Sequence, residues 1–189
     1  MAVFSIGKDW ITGTTLLYKE KQDLYNLIHY CCDKSIETVT VNLVDFEDTN
    51  TIYNHFVYLQ NCKGKELNTR AIHYILSFYV SEFRSDDWLA MAKDCLVKIA
   101  MFYFQDYQHI GCLHIDKLEK RGTVDFHFII NPVNIRNMKI YHCSASELEN
   151  LMEDIALVLG TMYNITLNLV YYRDEDSGCI RRIKKGRFK

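Results

Sequence analysis

His114 to Asn134, HIDKLEKRGTVDFHFIINPVN, reads as two β-strands joined by a short polar connection. Tyr107 to Asp116 forms the first run and Thr123 to Pro132 the second. Lys117 to Gly122 (KLEKRG) is the turn, with its glycine near the end, where hairpins favour one. Symmetric antiparallel pairing sets Asp116 opposite Thr123 and His114 opposite Asp125. Side chains alternate faces along a strand, so His127 shares the face of Asp125. His114, Asp125 and His127 then converge, with Asp116 one pleat away. Leu113, Ile115, Phe126, Phe128 and Ile130 occupy the opposite face and suit a core. A slip of one residue would scatter the polar cluster, and the apolar face fixes the register against it. Two imidazoles and a carboxylate with open positions suit a catalytic divalent metal. The spacing is equally met by a polar outer sheet face whose histidines only hydrogen-bond.

Working outward, Ala2 to Lys8 is expected as a short strand. Tyr18 to Cys32 is a helix, with Leu24, Leu27, Ile28 and Cys31 along one face. Glu37 to Val44 (ETVTVNLV) alternates and is β-branched, as a strand does. Thr49 to Gln60 is helical, and Arg70 to Val80 (RAIHYILSFYV) is a strongly apolar strand. Ser85 is expected to cap a helix to about Phe104, buried along Trp88, Leu89, Ala92, Leu96, Ile99 and Tyr103. Ser144 and Glu147 have the spacing of a capping box, opening a helix to about Gly160. Ile165 to Arg173 is a last strand. The pattern is an α+β class: a mainly antiparallel central sheet packed with helices, in one domain over residues 1–189 without a linker.

The chain has 189 residues, enough for one domain with a substantial core. Its net charge of −2 makes no global case for nucleic acid. The exception is a basic tail at about 180–189, where Arg181, Arg182, Lys184, Lys185, Arg187 and Lys189 crowd together. Such a tail can lie along phosphates, or be a solvated end. Seven cysteines without a CxxC pair, two of them adjacent at Cys31 and Cys32, fit no ordinary disulfide framework. With no signal peptide and no membrane-length apolar run, the expectation is a cytoplasmic protein with reduced thiols.

The order of parts resembles a relaxase, the mobilisation nuclease of conjugative plasmids and integrative elements. An opening helix carries Ile28, Tyr30 and Lys34 (LIHYCCDK), like the family's "I-x-Y-I…K". A strand then carries His73, Ser77 and Phe78 (HYILSF), like "H-x-x-x-S-F". A long helix leads to "H-x-D…H-x-H-x-x-x-N-x-V-N", whose places hold His114, Asp116, Asp125, His127, Asn131, Val133 and Asn134. One departure stands out: Asp125 replaces the first of the paired histidines. A carboxylate is a hard oxygen donor, which points toward Mg²⁺ or Mn²⁺. Many relaxases carry a further domain, and nothing in these residues resembles one. The expectation is a minimal relaxase or an isolated catalytic domain.

The resemblance implies the palm-like domain of the HUH endonucleases. It also implies site- and strand-specific nicking and rejoining of single-stranded DNA at a transfer origin, through a covalent 5′-phosphotyrosine. Accessory DNA-binding proteins and a coupling ATPase would be partners. With 13 tyrosines in the chain, position must choose the nucleophile. Tyr30 lies at the border of its helix's apolar stripe, from which its hydroxyl can reach the sheet; Tyr25 and Tyr18 are the fallbacks. A free phenol has a pKa of about 10 and needs a base or cation. The metal on His114, Asp125 and His127 would bind a phosphate oxygen. Asp116 would either orient a ligand imidazole or accept the tyrosine proton. Ser77 is assigned a supporting role in placing substrate, and His73 shares its strand face as a DNA-side residue. His29, His55, His109 and His142 are expected at the surface or an edge, and Phe78 and Trp88 in the core. Other readings are a related DNA-binding module without nicking, a rolling-circle initiator or transposase of the same superfamily, and a non-haem Fe(II) oxygenase. Initiators and transposases place the tyrosine helix after the histidine motif; Fe(II) oxygenase triads usually sit on all-β barrels.

Overall fold

In a computed structural model, residues 3–6, 18–43, 48–64, 67–166, 171–173 and 180–182 are described. In chain order these form β1 (Val3–Ile6), α1 (Lys21–Asp33), β2 (Glu37–Val41), α2 (Thr49–Lys63), β3 (Ile72–Tyr79), a 3₁₀ turn (Val80–Phe83), α3 (Trp88–Phe102) and β4 (Tyr107–His114). A single helical turn, α4 (Leu118–Arg121), leads to β5 (Thr123–Asn134), α5 (Ala145–Tyr163), β6 (Tyr171–Arg173) and β7 (Ile180–Arg182). β1 to β5 make one antiparallel sheet in the order β1-β3-β5-β4-β2, and β6 pairs with β7 separately. The α+β class and the antiparallel sheet are as expected.

The hairpin takes the register its apolar face demands. His114 stands opposite Asp125, Cys112 opposite His127 and Gly111 opposite Phe128. Its connection differs from a plain turn. β4 stops at His114, and Leu118 to Arg121 coil into one helical turn closed by Gly122 at φ +64°. Leu, Glu, Lys and Arg are good helix formers, and a left-handed glycine ends such a turn. Asp116 therefore lies exposed in the connection, not in a strand pair with Thr123.

Both faces of the sheet are covered. Against one, α3 and α5 bury Leu76, Phe78, Leu96, Ile99, Leu113, Phe126, Phe128 and Leu159. Gly111 admits this packing: a Cβ there would come within 3.1 Å of Leu96 Cδ1 and 3.3 Å of Phe128 Cε1. Trp88 is only partly buried against that core. Against the other face, α1 and α2 bury Leu24, Ile28, Cys31, Ile52 and Phe56 over Ile110, Cys112 and Ile129. Each large apolar side chain so buried contributes about 1.5–3 kcal/mol. That second face is apolar only along half its length. The end toward the β4–β5 connection carries His114, Asp125 and His127.

Several element ends move for local reasons. α1 begins at Lys21, where Glu20 and Asp23 form a capping box. β2 ends before Asn42, whose φ is +56°. Asp87, not Ser85, caps α3, while Ser85 Oγ accepts from the Asp87 amide at 3.1 Å. The Ser144–Glu147 capping box forms as expected, and α5 runs through Gly160 to a left-handed Asn164. Of the expected 165–173 strand only Tyr171–Arg173 is extended among the described residues. Ala2, Gly7, Lys8 and Val44 lie outside the described residues, as do Lys184, Lys185, Arg187 and Lys189 of the basic tail.

The asparagines of IINPVN hold backbone. Asn131 donates to the Phe56 carbonyl at 3.1 Å, tying β5 to α2, and accepts from the Val133 amide. Asn134 Oδ1 accepts from the Arg136 and Asn137 amides and closes the turn after β5.

Candidate active site

The apolar stripe of α1 orients everything above it. Leu24, Ile28 and Cys31 are fully buried, and Leu27 nearly so. Sinking these onto the sheet carries the last turn of α1 over the polar end of β4 and β5. Tyr30, one residue before Cys31, then sits at the rim, 43% exposed. Its ring meets the rings of His114 and His127 edge-on, with centroids at 5.7 Å and 6.1 Å. Lys34 Nζ lies over the Tyr30 ring, 4.4 Å from its centroid. Tyr25 instead packs on His29 and Tyr53.

The two motif imidazoles are close neighbours, with centroids 4.3 Å apart. His114 Nε2 donates to the Cys31 carbonyl at 2.7 Å. A carbonyl only accepts, so the His114 proton is on Nε2 and Nδ1 presents a lone pair. That Nδ1 is buried and has no hydrogen-bond partner. An imidazole whose far nitrogen is pinned by a backbone carbonyl is the usual arrangement of a metal-ligating histidine. His127 Nδ1 pairs with His73 Nε2 at 2.9 Å, and His73 Nδ1 pairs with the Tyr18 hydroxyl at 2.9 Å. His73 stands opposite Ile129, so it reaches His127 diagonally across the β3–β5 pair.

Asp125 pairs with His114 on one side and Ser77 on the other in strand register. Its side chain is committed elsewhere. Oδ1 accepts from Ser77 Oγ at 2.6 Å, and Oδ2 takes an ion pair from Lys117. A buried carboxylate needs such a cation. The helical turn after β4 supplies it by bringing Lys117 back over the strand end. Among the described residues, the donor set whose ligand atoms all lie within 4.8 Å of one another is Cys31, His73 and His127. The expected trio of His114, Asp125 and His127 shares the sheet face but does not close into such a set.

Burial dominates the titration of these groups. It pulls His73 down to about 4, helped by the neighbouring His114, and His127 down to about 2, helped by His73, His114, Lys117 and Lys34. His114 is also lowered by burial, against the opposing pull of its Cys31 bond and of Asp116 and Asp125. All three rings are therefore neutral near pH 7 and offer lone pairs, the form a metal binds. Tyr30 moves the other way. Partial burial raises its pKa first, then the charge of Asp116 and the neighbouring Cys31, while Lys117 opposes them. The site thus keeps Tyr30 as a phenol and puts Asp116 within electrostatic reach of it.

His73, only 6% exposed and bonded through both nitrogens, is a buried member of the histidine cluster and does not face outward as a DNA-side residue. His109 is likewise buried, not at an edge; it bonds the Ala100 carbonyl at the end of α3. Arg181 and Arg182 lie in β7. Two participants leave little mark on the sequence. Lys117 falls in the KLEKRG connection, and only the carboxylate on a half-apolar face signals that a cation must be near. Cys31 falls in the apolar stripe of α1, and nothing in its spacing marks its carbonyl or thiol.

A family model for the MobA/VirD2-like relaxase nuclease domain matches residues 30–160. That span begins at Tyr30 and includes His73, Ser77, His114, Asp116, Asp125 and His127. No curated protein and no solved structure matches the chain.

Proposed function

The chain belongs to the MobA/VirD2-like relaxase nuclease family, and from that premise we propose that it nicks and rejoins one DNA strand at a transfer origin through Tyr30. Relaxase nuclease domains are nicking domains that bind single-stranded DNA, and they use a divalent metal. The finer reading is a transesterification. The Tyr30 oxygen attacks the scissile phosphorus, the bond to the 3′ oxygen breaks, and that oxygen leaves as a hydroxyl after taking up a proton. The 5′-phosphate stays esterified to Tyr30, so the bond energy is retained and the reverse step reseals the strand.

The observation that carries this reading is the Tyr30 ring set edge-on over His114 and His127 with its side chain open to solvent. The orphaned Nδ1 of His114 and the neutral ring of His127 fit a divalent ion. When bound, such an ion polarises a phosphate oxygen and offsets the charge that builds during attack. Orienting His114 falls to the Cys31 carbonyl, which leaves Asp116 as the acceptor of the Tyr30 proton. Lys34 and Lys117 supply positive charge beside the same phosphate. Ser77, with its proton given to Asp125, keeps lone pairs for placing substrate. Arg181, Arg182, Lys184 and Lys185 are proposed to follow the DNA backbone.

The role is proposed to be conjugative mobilisation of a plasmid or integrative element in the cytoplasm, with accessory DNA-binding proteins and a coupling ATPase. Among the described residues no helix is long and apolar enough to cross a membrane. The sequestered Asp125 favours a second reading, a DNA-binding relative that does not nick. The test is to incubate the protein with oligonucleotides from its own element and Mn²⁺, Mg²⁺, Co²⁺ or Zn²⁺ in turn. A denaturant-stable protein–DNA adduct, absent in Tyr30→Phe, supports nicking. Binding without an adduct under every metal supports the second reading.

A further inference from the structure

We infer that the metal donors beside His127 are His73 on β3 and Cys31, in place of Asp125, and that the site consequently selects a Zn²⁺- or Co²⁺-like ion over Mg²⁺. The inference rests on the reading that a divalent ion sits at His127. Asp125 occupies the sequence place of a missing histidine, yet both its oxygens are engaged, one by Ser77 and one by Lys117. Moving that carboxylate onto an ion would strip Lys117 of its partner. His73 has the opposite disposition. Its Nε2 lies 2.9 Å from His127 Nδ1, their rings stacked with centroids 5.1 Å apart. Two nitrogens on one tetrahedral ion, each at about 2.0–2.1 Å, are about 3.3 Å apart. The present separation therefore needs to open by only a few tenths of an ångström.

A proton now shared between the two rings is what the ion would replace. His73 can shift that proton to Nδ1, where the Tyr18 hydroxyl receives it at 2.9 Å. Tyr18 then orients His73 as the Cys31 carbonyl orients His114. The Cys31 sulfur completes the surroundings, within 4.8 Å of the ligand atoms of both His73 and His127. A pocket of imidazole nitrogen and thiol sulfur favours Zn²⁺ and Co²⁺. Mg²⁺ demands oxygen donors and octahedral geometry. The preference of an Asp125-ligated site is thereby reversed.

The experiment measures metal binding to the full chain without DNA, by competition with a chromophoric chelator after EDTA treatment and dialysis. Wild type, His73→Gln, His127→Gln and Asp125→Asn are titrated with Co²⁺ and with Zn²⁺ in a large excess of Mg²⁺. Circular dichroism confirms that each variant is folded. His73→Gln and His127→Gln are each expected to lose tenfold or more in affinity, Asp125→Asn threefold at most, and Mg²⁺ not to compete. In wild type, Zn²⁺ is expected to shift the His73 ring ¹⁵N resonances, a readout that needs no variant. A tenfold loss in Asp125→Asn with His73→Gln at wild-type affinity overturns the inference, as do competition by Mg²⁺ or failure of Co²⁺ and Zn²⁺ to bind. A protein that binds metal through His73 but forms no DNA adduct retains this inference and refutes the nicking reading.

Discussion

Acidification of the metal-free protein is expected to cost it stability at pH values where ordinary carboxylates are still ionised. His73 is held at about 4 against its ordinary 6.5. Below 6.5 the unfolded chain takes up a proton at this histidine while the folded chain does not. The unfolded state therefore binds more protons, and stability falls as pH falls. The contribution is intact above pH 6.5 and is lost progressively down to the folded value near 4. At about 1.4 kcal/mol per pH unit, the full loss is about 3 kcal/mol, with about 2 kcal/mol gone by pH 5. His127, held at about 2 largely by burial, extends the loss further into acid. The assay is urea unfolding in EDTA, followed by circular dichroism, at half-unit steps from pH 7.5 to 4.5. His73→Gln removes one titrating group, so its stability curve is flatter over that window by about 2 kcal/mol. A wild-type stability constant from pH 7 to 5, or a His73→Gln curve parallel to wild type, refutes the reasoning.

Three other outcomes are expected. Gly111→Val drives methyl groups into Leu96 and Phe128 and lowers stability by about 1–3 kcal/mol in thermal or urea unfolding. Lys117→Met leaves the buried Asp125 carboxylate without its ion pair. Because Lys117 is partly exposed, its loss costs about 1–2 kcal/mol, between the values of surface and buried pairs; unfolding at low and high salt measures it. Because Tyr30 is held as a phenol and gives its proton to Asp116 only during attack, the initial nicking rate stays flat from pH 7 to 9 at saturating metal. A rate that climbs about tenfold per pH unit contradicts Asp116 as the proton acceptor.

What the sequence disclosed follows the range of the contacts. The His114–Asp125 pairing was legible because only eight residues separate the two strands and an apolar face excludes the neighbouring registers. The helices were legible from their stripes and from the Ser144–Glu147 cap. Tyr30 at the edge of its stripe could be read as a residue facing the sheet. The partnership of His73 with His127 could not, because it depends on the register of β3 against β5. These strands are distant in sequence, and the contact is diagonal across the pair. Lys117 was hidden by the turn coiling into a helix, where strand alternation no longer says which way a side chain points. His109 looked like an edge residue because its partner is a backbone carbonyl at the end of α3, which leaves no mark on spacing.

The central claim is that Tyr30 carries the DNA strand. Its most direct test is tandem mass spectrometry of the protein after reaction with a single-stranded oligonucleotide from its own element and nuclease trimming. Trypsin releases Gln22 to Lys34 as one peptide containing both Tyr25 and Tyr30, and fragmentation assigns the phosphonucleotide to one of them. The prediction is a nucleotide 5′-phosphate on Tyr30. Its presence on Tyr25 or Tyr18, or no modified tyrosine under any divalent metal, contradicts the account.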